Sequence, residues 1–256
     1  NAVAMLGEDC WENNYEQTLE LYIEAAEVAY VCTRFDLMKR LTNETLKNGK
    51  NDLDKAMAYK IMIEAYSVEN DLDKALDIAR DMLKLFGVRL PRKPMIFNVI
   101  YAYVKTRLAL WRKPVDNLLD LEPMSDKRYI TALKIMNSAS IASYSSSYYT
   151  TVLIVFNALL ISLKYGNTDE SIIAYSGYGH ILDALIGKVE EGYKFGLLSL
   201  ELQKKLDVKR LESKTTMMFN MMIRHGKEPL RDTLLDFPES YQKGFASGDL
   251  ISAGYS

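Results

Sequence analysis

The residues that could do chemistry are few in this chain and lie far apart. Two histidines (His180, His225) and two cysteines (Cys10, Cys32) occur in 256 residues. A metal site needs such ligands in clusters at short spacings, and an acid–base pair needs a positioned partner. The sequence therefore predicts no catalytic residue, no metal and no cofactor, and we expect that the protein is not an enzyme.

Motifs for nucleotides and for nucleophilic catalysis are missing as well. The chain contains neither a G-x-x-x-x-G-K-[ST] phosphate loop nor a G-x-S-x-G nucleophile elbow. Gly177 and Gly179 lie within an apparent helix and lack the third glycine of a dinucleotide-binding loop. His180 follows at the close-packed position of the same helix, and we interpret it as a histidine held by hydrogen bonds rather than as a catalytic base.

Composition and charge limit the partners. The chain is 48% hydrophobic and 26% charged, so it can bury a core, which a disordered tail cannot. Its 32 basic and 34 acidic residues give a net charge of -2, which offers no bulk attraction to nucleic acid or to an anionic membrane. The longest apolar run, 152–163, is shorter than the roughly 20 residues of a membrane span. We therefore expect a buried core helix there and, without a visible signal peptide, a cytoplasmic protein.

One candidate interaction surface is acidic. No Lys or Arg precedes Arg34, and glutamates recur every four residues before it. Like charges at this spacing cost a helix roughly 0.2–0.5 kcal/mol per pair, so helix stability does not explain them. Two interpretations stay open, a solvated face and a docking edge for a basic surface formed by Glu12, Glu16 and Glu20. The full stripe is Glu8, Glu12, Glu16, Glu20 and Glu24.

A second candidate surface is aromatic. Tyrosines concentrate in the middle of the chain, where they could line the inner surface of a superhelix on which peptides dock. They could equally fill gaps between helices with the hydroxyl in water. A third possibility is an aromatic pocket for a small molecule, formed by segments 144–149 and 175–180. The candidate interaction residues are Tyr144, Tyr148, Tyr175, Tyr178 and His180.

Helices are the elements that must position these residues. All six prolines fall where helices would begin or end, and long tracts such as 124–165 lack both Gly and Pro. Apolar residues recur at helical spacings, and strand patterns of period 2 are missing. We predict helices at 9–32, 34–49, 52–69, 72–86, 93–111, 126–145, 148–165, 169–186, 189–206, 209–225 and 230–246.

Turn signals join these helices into hairpins. Asn51 and Asp71 are predicted N-caps, and Gly87 is a predicted helix stop. Four runs combine small, acidic and apolar residues in the manner of a tetratricopeptide turn, although their spacings are not multiples of about 34 residues. We therefore predict an all-α fold, a degenerate tetratricopeptide-like α-solenoid of helical hairpins, in one continuous domain over 1–256. The four runs begin at Thr33, Asn70, Gly187 and Gly248.

The same segments carry a family resemblance. In order and spacing they resemble the helical, tetratricopeptide-like region of very large signalling proteins. In those proteins a kinase-like segment and a STAND-type P-loop ATPase precede the helical region, and sensor modules and a histidine kinase often follow it. The segments are 11–30, 85–91, 175–180, 192–196, 219–225 and 248–250.

The resemblance implies a non-catalytic protein-interaction and signal-relay module, because the catalytic residues of that family lie in its ATPase and kinase parts. The partner would be another protein or a neighbouring domain of the same polypeptide. Because the turn at Gly248 is followed by only the start of a helix, we expect a module excised from a longer chain. A small-molecule-sensing solenoid and a free-standing tetratricopeptide-like scaffold are the alternatives.

Overall fold

The computed structural model of the protein describes residues 2–7 and 9–256. Within these residues the regular structure is helical throughout, and the β-type pairing is limited to one isolated bridge between Pro123 and Asn167. The all-α fold class predicted from the sequence is confirmed.

The α-helices are numbered in chain order, and short 3₁₀ segments lie between some of them. The α-helices are α1 Cys10–Asn13, α2 Tyr15–Val31, α3 Phe35–Asn48, α4 Asp52–Val68, α5 Leu72–Leu85, α6 Ile96–Arg112, α7 Lys127–Ser146, α8 Tyr148–Tyr165, α9 Ser171–Ala184, α10 Val189–Lys205, α11 Glu212–Met222, α12 Leu230–Thr233, α13 Phe237–Ser247 and α14 Leu250–Tyr255. The 3₁₀ segments are Ala2–Met5, Val115–Asn117, Lys209–Leu211, Arg224–Gly226 and Leu234–Asp236.

Three of the predicted helices are wrong in length, because each is interrupted. The helix predicted at 9–32 breaks at Asn14, whose φ of -138° lies outside the helical region. The helix predicted at 209–225 is flanked by 3₁₀ turns and ends where Ile223 leaves helical geometry. The helix predicted at 230–246 is divided by a 3₁₀ segment, and Pro238 lies in the first turn of the helix that follows, where its missing N–H costs nothing.

The chain forms two compact units, which are described separately. Unit 1 comprises residues 1–94 and 127–151, and unit 2 comprises residues 95–126 and 152–256. The single continuous domain over 1–256 stays a prediction.

Unit 1 contains the hairpins α2–α3 and α4–α5, with α7 packed on α4 and α5. Small residues on α2 and α4 let the helices approach closely around larger apolar side chains. A buried hydroxyl adds a polar contact, since Ser138 on α7 donates a hydrogen bond of 2.7 Å to the Glu64 carboxylate on α4. One core cluster consists of Ala26, Ala29, Met38, Leu41, Ile61 and Ala65.

Unit 2 is built on the hairpin of α9 and α10, with α11 packed on both helices and α13 on α11. Two glycines set the close approach of α9 and α10. A Cβ atom added to Gly192 would lie 2.7 Å from the carbonyl oxygen of Gly179. Beside this crossing, the buried rings of Tyr178 and Phe195 meet edge to face at 4.8 Å between centroids.

The predicted turns form as left-handed helix ends. Thr33, Asn70, Gly187 and Gly248 all have a positive φ, and each is followed by a helix that packs on the preceding one. At the second turn the N–H of Asp71 reaches the carbonyl of Tyr66 at 2.8 Å, the bond of a Schellman motif. Helical hairpins are therefore present at all four predicted places.

The predicted caps are confirmed. The side chain of Asn51 accepts hydrogen bonds from the N–H groups of Leu53 and Asp54, and Asp71 accepts one from Lys74. Gly87 follows α5 with a φ of +80°, which a residue bearing a Cβ rarely adopts. Local sequence thus fixes where these helices begin and end.

One helix of the described residues, α8, is long and apolar enough to cross a membrane by length and composition alone. More than half of that helix is buried inside the protein, and buried core helices pass the same test. The absence of a membrane span stays a prediction.

Candidate interaction site

Helix α6 has two different faces. Its ends are set by Pro94 before it and Pro114 after it, since proline cannot continue a helix interior. At the N-terminus the side chain of Asn98 accepts a hydrogen bond of 2.8 Å from the N–H of Met95. The inward face carries three residues at a spacing of four, two of them small, and all three are buried. They are Ala102, Thr106 and Leu110.

The outward face of α6 is apolar and exposed. Phe97, Tyr101 and Trp111 are 73%, 71% and 83% exposed, and Val104 and Leu108 lie between them at about half exposure or more. The successive spacings are four, three, four and three, so the five side chains form one continuous stripe along the helix. We call these five residues the α6 stripe.

Contacts within unit 2 hold α6 in place on its other sides. The ring of Tyr103 packs against Phe156 at 6.2 Å between centroids. Arg107 forms an ion pair with Glu191 on α10. Lys113 donates a hydrogen bond of 2.6 Å to the carbonyl of Leu163. The α6 stripe is therefore the outer surface of an anchored helix.

Helix α6 and the segments that flank it carry basic and no acidic side chains. No Asp or Glu occurs from residue 88 to residue 115. Lys105 and Arg112 are exposed, and neither has an ion pair within the described part of the chain. Each lies one helical turn after a stripe residue, Lys105 after Tyr101 and Arg112 after Leu108, so both border the same edge.

No family model, curated protein or solved structure matches the chain. We therefore infer function from the exposed residues and their charges. Large contiguous apolar patches on a protein surface are typical of interaction sites, whereas singly scattered apolar residues are normal. The α6 stripe is a patch of the first kind.

The acidic candidates lie on the surface of unit 1. Glu12 is on α1, Glu16 and Glu20 are on α2, and all three are exposed without an ion pair among residues 2–7 and 9–256. Glu8 lies outside the described residues. Because the helix breaks at Asn14, the stripe is not carried by one helix as predicted. The two interpretations, solvated face and docking edge, remain predictions.

The tyrosine candidates divide into two groups. Tyr144 and Tyr148 are exposed, as an interaction surface requires. Tyr175 and Tyr178 are fully buried, so the prediction that they line a surface or a pocket is wrong. The physical reason is that every residue of segment 171–179 is buried, and a helix surrounded on all sides has no surface to offer.

His180 is held by a hydrogen bond, as predicted from the sequence. Its Nδ1 lies 3.1 Å from the carbonyl oxygen of Met222. Carboxylates hold the nearby Arg224. Arg224 forms ion pairs with Glu228 at 2.7 Å and with Asp236 at 2.8 Å. Both residues therefore have structural partners.

A cavity of about 200 Å³ lies between α10, α11 and α13 of unit 2. Most of its charged lining is paired, since Lys243 bridges Glu212 at 2.6 Å and Glu239 at 2.5 Å and Asp236 pairs with Arg224 at 2.8 Å. Among the described residues, no three His, Cys, Asp or Glu side chains are placed to hold a metal ion. The expectations of no metal and no cofactor stay predictions.

Burial of tyrosines makes unit 2 sensitive to alkali. Burial raises the pKa of Tyr178 to about 12 and also raises that of Tyr175. Unfolded tyrosine ionises near pH 10, so above that pH the unfolded chain releases protons that the native state retains. We expect the free energy of unfolding to fall between pH 10 and 12 by roughly 2 kcal/mol for Tyr178. Urea unfolding across this range measures the decline, which Tyr178→Phe should flatten; an unchanged slope in the variant would contradict the assignment.

Proposed function

We propose that the chain is a non-catalytic protein-interaction and signal-relay module of a multidomain, ATPase-coupled sensor kinase. The observation that carries the interaction role is the α6 stripe, an exposed row of large apolar side chains on an anchored helix. Trp, Tyr and Arg are enriched among the residues that dominate binding energy at protein interfaces, and the stripe with its border supplies all three.

The fold supports the same proposal. Helical hairpins at four predicted turns are the units from which a tetratricopeptide-like α-solenoid is assembled, and we propose that these hairpins belong to a degenerate solenoid. Such proteins use their exposed helix faces to bind other proteins or neighbouring domains. The kinase and ATPase setting comes from the family resemblance of the sequence, and we propose a cytoplasmic location with it.

The relay would act by changing the relative populations of two conformations of an attached ATPase. A partner bound to the α6 stripe can favour one conformation of an attached ATPase only if it binds the two conformations with different affinities. Covering the apolar stripe supplies such a difference when the stripe is accessible in only one of the two conformations, because apolar area then leaves water on binding to that conformation alone. The module itself then needs no catalytic group.

Site-specific photocrosslinking tests the proposal in native cells. Benzoylphenylalanine placed at Phe97 or Tyr101 of the native polypeptide should give a discrete crosslinked product on irradiation, because a partner covers the α6 stripe. Tyr144 is the matched control, since it is an exposed tyrosine of unit 1. A product at Tyr144 with none at the two α6 positions would contradict the proposed site and favour the tyrosine-rich segment.

A further inference from the structure

We propose that the partner of the α6 stripe is an amphipathic helix with acidic residues beside its apolar face. This inference rests on the proposed interaction function and names the chemistry of the partner. It follows from the shape of the stripe, from the two cations on its border and from the absence of acidic residues on α6 itself.

The shape of the stripe fits a helix. It runs the length of a 17-residue helix, which corresponds to about 25 Å at 1.5 Å per residue. Its side chains project at spacings of three and four, so they form a ridge with gaps one turn apart. A partner helix with apolar residues at the same spacings fills those gaps along the whole length.

The charges select an acidic partner. Lys105 and Arg112 are seven residues apart, which is two helical turns, and they border the same edge of the stripe. A partner helix with Glu or Asp two turns apart would place one carboxylate at each cation. A basic partner would meet two unpaired like charges and no compensating carboxylate on α6.

An anionic membrane is a weaker fit to the same surface. Polybasic segments that bind anionic lipids use clusters of about four to eight Lys or Arg residues. Helix α6 offers two unpaired cations, because Arg107 is paired with Glu191 and Lys113 donates to the Leu163 carbonyl. Two cations are sufficient to orient a helix in a binding site, but they are fewer than the clusters that bind anionic lipids contain.

Two synthetic helical peptides provide the first test. Both carry leucine at spacings of three and four, and they differ only in flanking residues, which are Glu in one and Lys in the other. The reporter is Trp111, exposed at the end of the stripe, in a Trp11→Phe background that leaves it as the single tryptophan. We expect a saturable blue shift with the Glu peptide and binding at least about tenfold weaker with the Lys peptide.

Charge inversion provides the second test. K105E/R112E should reverse the preference, so that the Lys peptide binds about tenfold more tightly than the Glu peptide. The matched control is K194E/K209E, which changes the net charge equally at exposed lysines of unit 2 that are not on α6. It should leave the preference unchanged. All four positions are exposed, so the variants should fold, and far-UV circular dichroism checks this.

The outcomes separate this inference from the proposed function. Equal binding of the two peptides, an unreversed preference in K105E/R112E, or a blue shift only with phosphatidylserine vesicles would overturn the acidic helix. If crosslinking at Phe97 nevertheless succeeds in cells, the interaction function stands without this partner. If crosslinking fails while the Glu peptide binds with the expected reversal, the preference of the α6 stripe for an acidic helix is supported. The proposed interaction function in the cell is then rejected.

Discussion

Gly192→Ala is expected to destabilise unit 2 by about 3 kcal/mol, at the upper end of the usual cost of overpacking. The added methyl would lie 2.7 Å from the carbonyl oxygen of Gly179 and 3.1 Å from the backbone nitrogen of Asp183. Both contacts are backbone atoms of α9, so no side-chain rotation relieves them. The α9–α10 hairpin must open, and the buried packing of Tyr178 against Phe195 opens with it.

The control for this substitution is Gly254→Ala on α14, where an added Cβ meets nothing within 4 Å. There the methyl should be neutral or stabilise the helix by roughly 0.5–1 kcal/mol, because alanine loses less backbone entropy than glycine. Urea unfolding followed by circular dichroism gives the difference, and hydrogen exchange of the α9 and α10 amides localises it. Equal stabilities of the two variants would refute the close approach of α9 and α10.

Local signals predicted the helices and turns because they act within a few residues. A left-handed residue at Asn70, a capping side chain at Asp71 and a glycine stop at Gly87 need no knowledge of the rest of the fold. The predicted bounds 189–206 and 209–225 leave the turn at 207–208 between two helices. The left-handed conformation of Asp207, whose φ is +51°, was not predicted, because aspartate adopts it less often than glycine or asparagine. The break at Asn14 was not predicted either.

The candidate site was harder to predict, because periodicity tells which residues share a face and not whether that face is covered. The α6 stripe is legible in the sequence as Phe97, Tyr101, Val104, Leu108 and Trp111. An apolar stripe normally faces a core, whereas here the smaller residues of α6 do. The exposed face could have been predicted from one contrast in the sequence, which is that α6 has large residues on one face and Ala102 and Thr106 on the other. For Tyr175 and Tyr178 the error was the opposite one, because these residues were predicted to be accessible and are buried. Their neighbours on α9 are almost all uncharged, and the helix is surrounded by the protein.

Asn167→Ala is expected to lower the free energy of unfolding of unit 2 by about 3 kcal/mol, because it removes two buried hydrogen bonds and leaves the buried hydroxyl of Tyr175 without a partner. Asn167 is 5% exposed. Its Nδ2 donates to the carbonyl of Leu118 at 2.7 Å, and its Oδ1 accepts from the hydroxyl of Tyr175 at 2.7 Å. The amide thus joins the segment after α6 to the centre of α9. Alanine replaces neither hydrogen bond. The Leu118 carbonyl keeps only the longer bond of 3.4 Å from the N–H of Leu121, and the surroundings are too buried for bulk water to replace the amide.

Tyr175→Phe provides the comparison that separates hydrogen bonding from packing. It removes the hydroxyl and leaves only Oδ1 of Asn167 without a donor, so the expected cost is about 1 kcal/mol. In the double variant the orphaned hydroxyl is gone, and the combined loss should be smaller than the sum of the single losses by about 1 kcal/mol. Urea unfolding of the four proteins measures this coupling. Additive losses would mean that Asn167 acts through its volume, and that the link between the segment after α6 and the buried tyrosine of α9 contributes no stability.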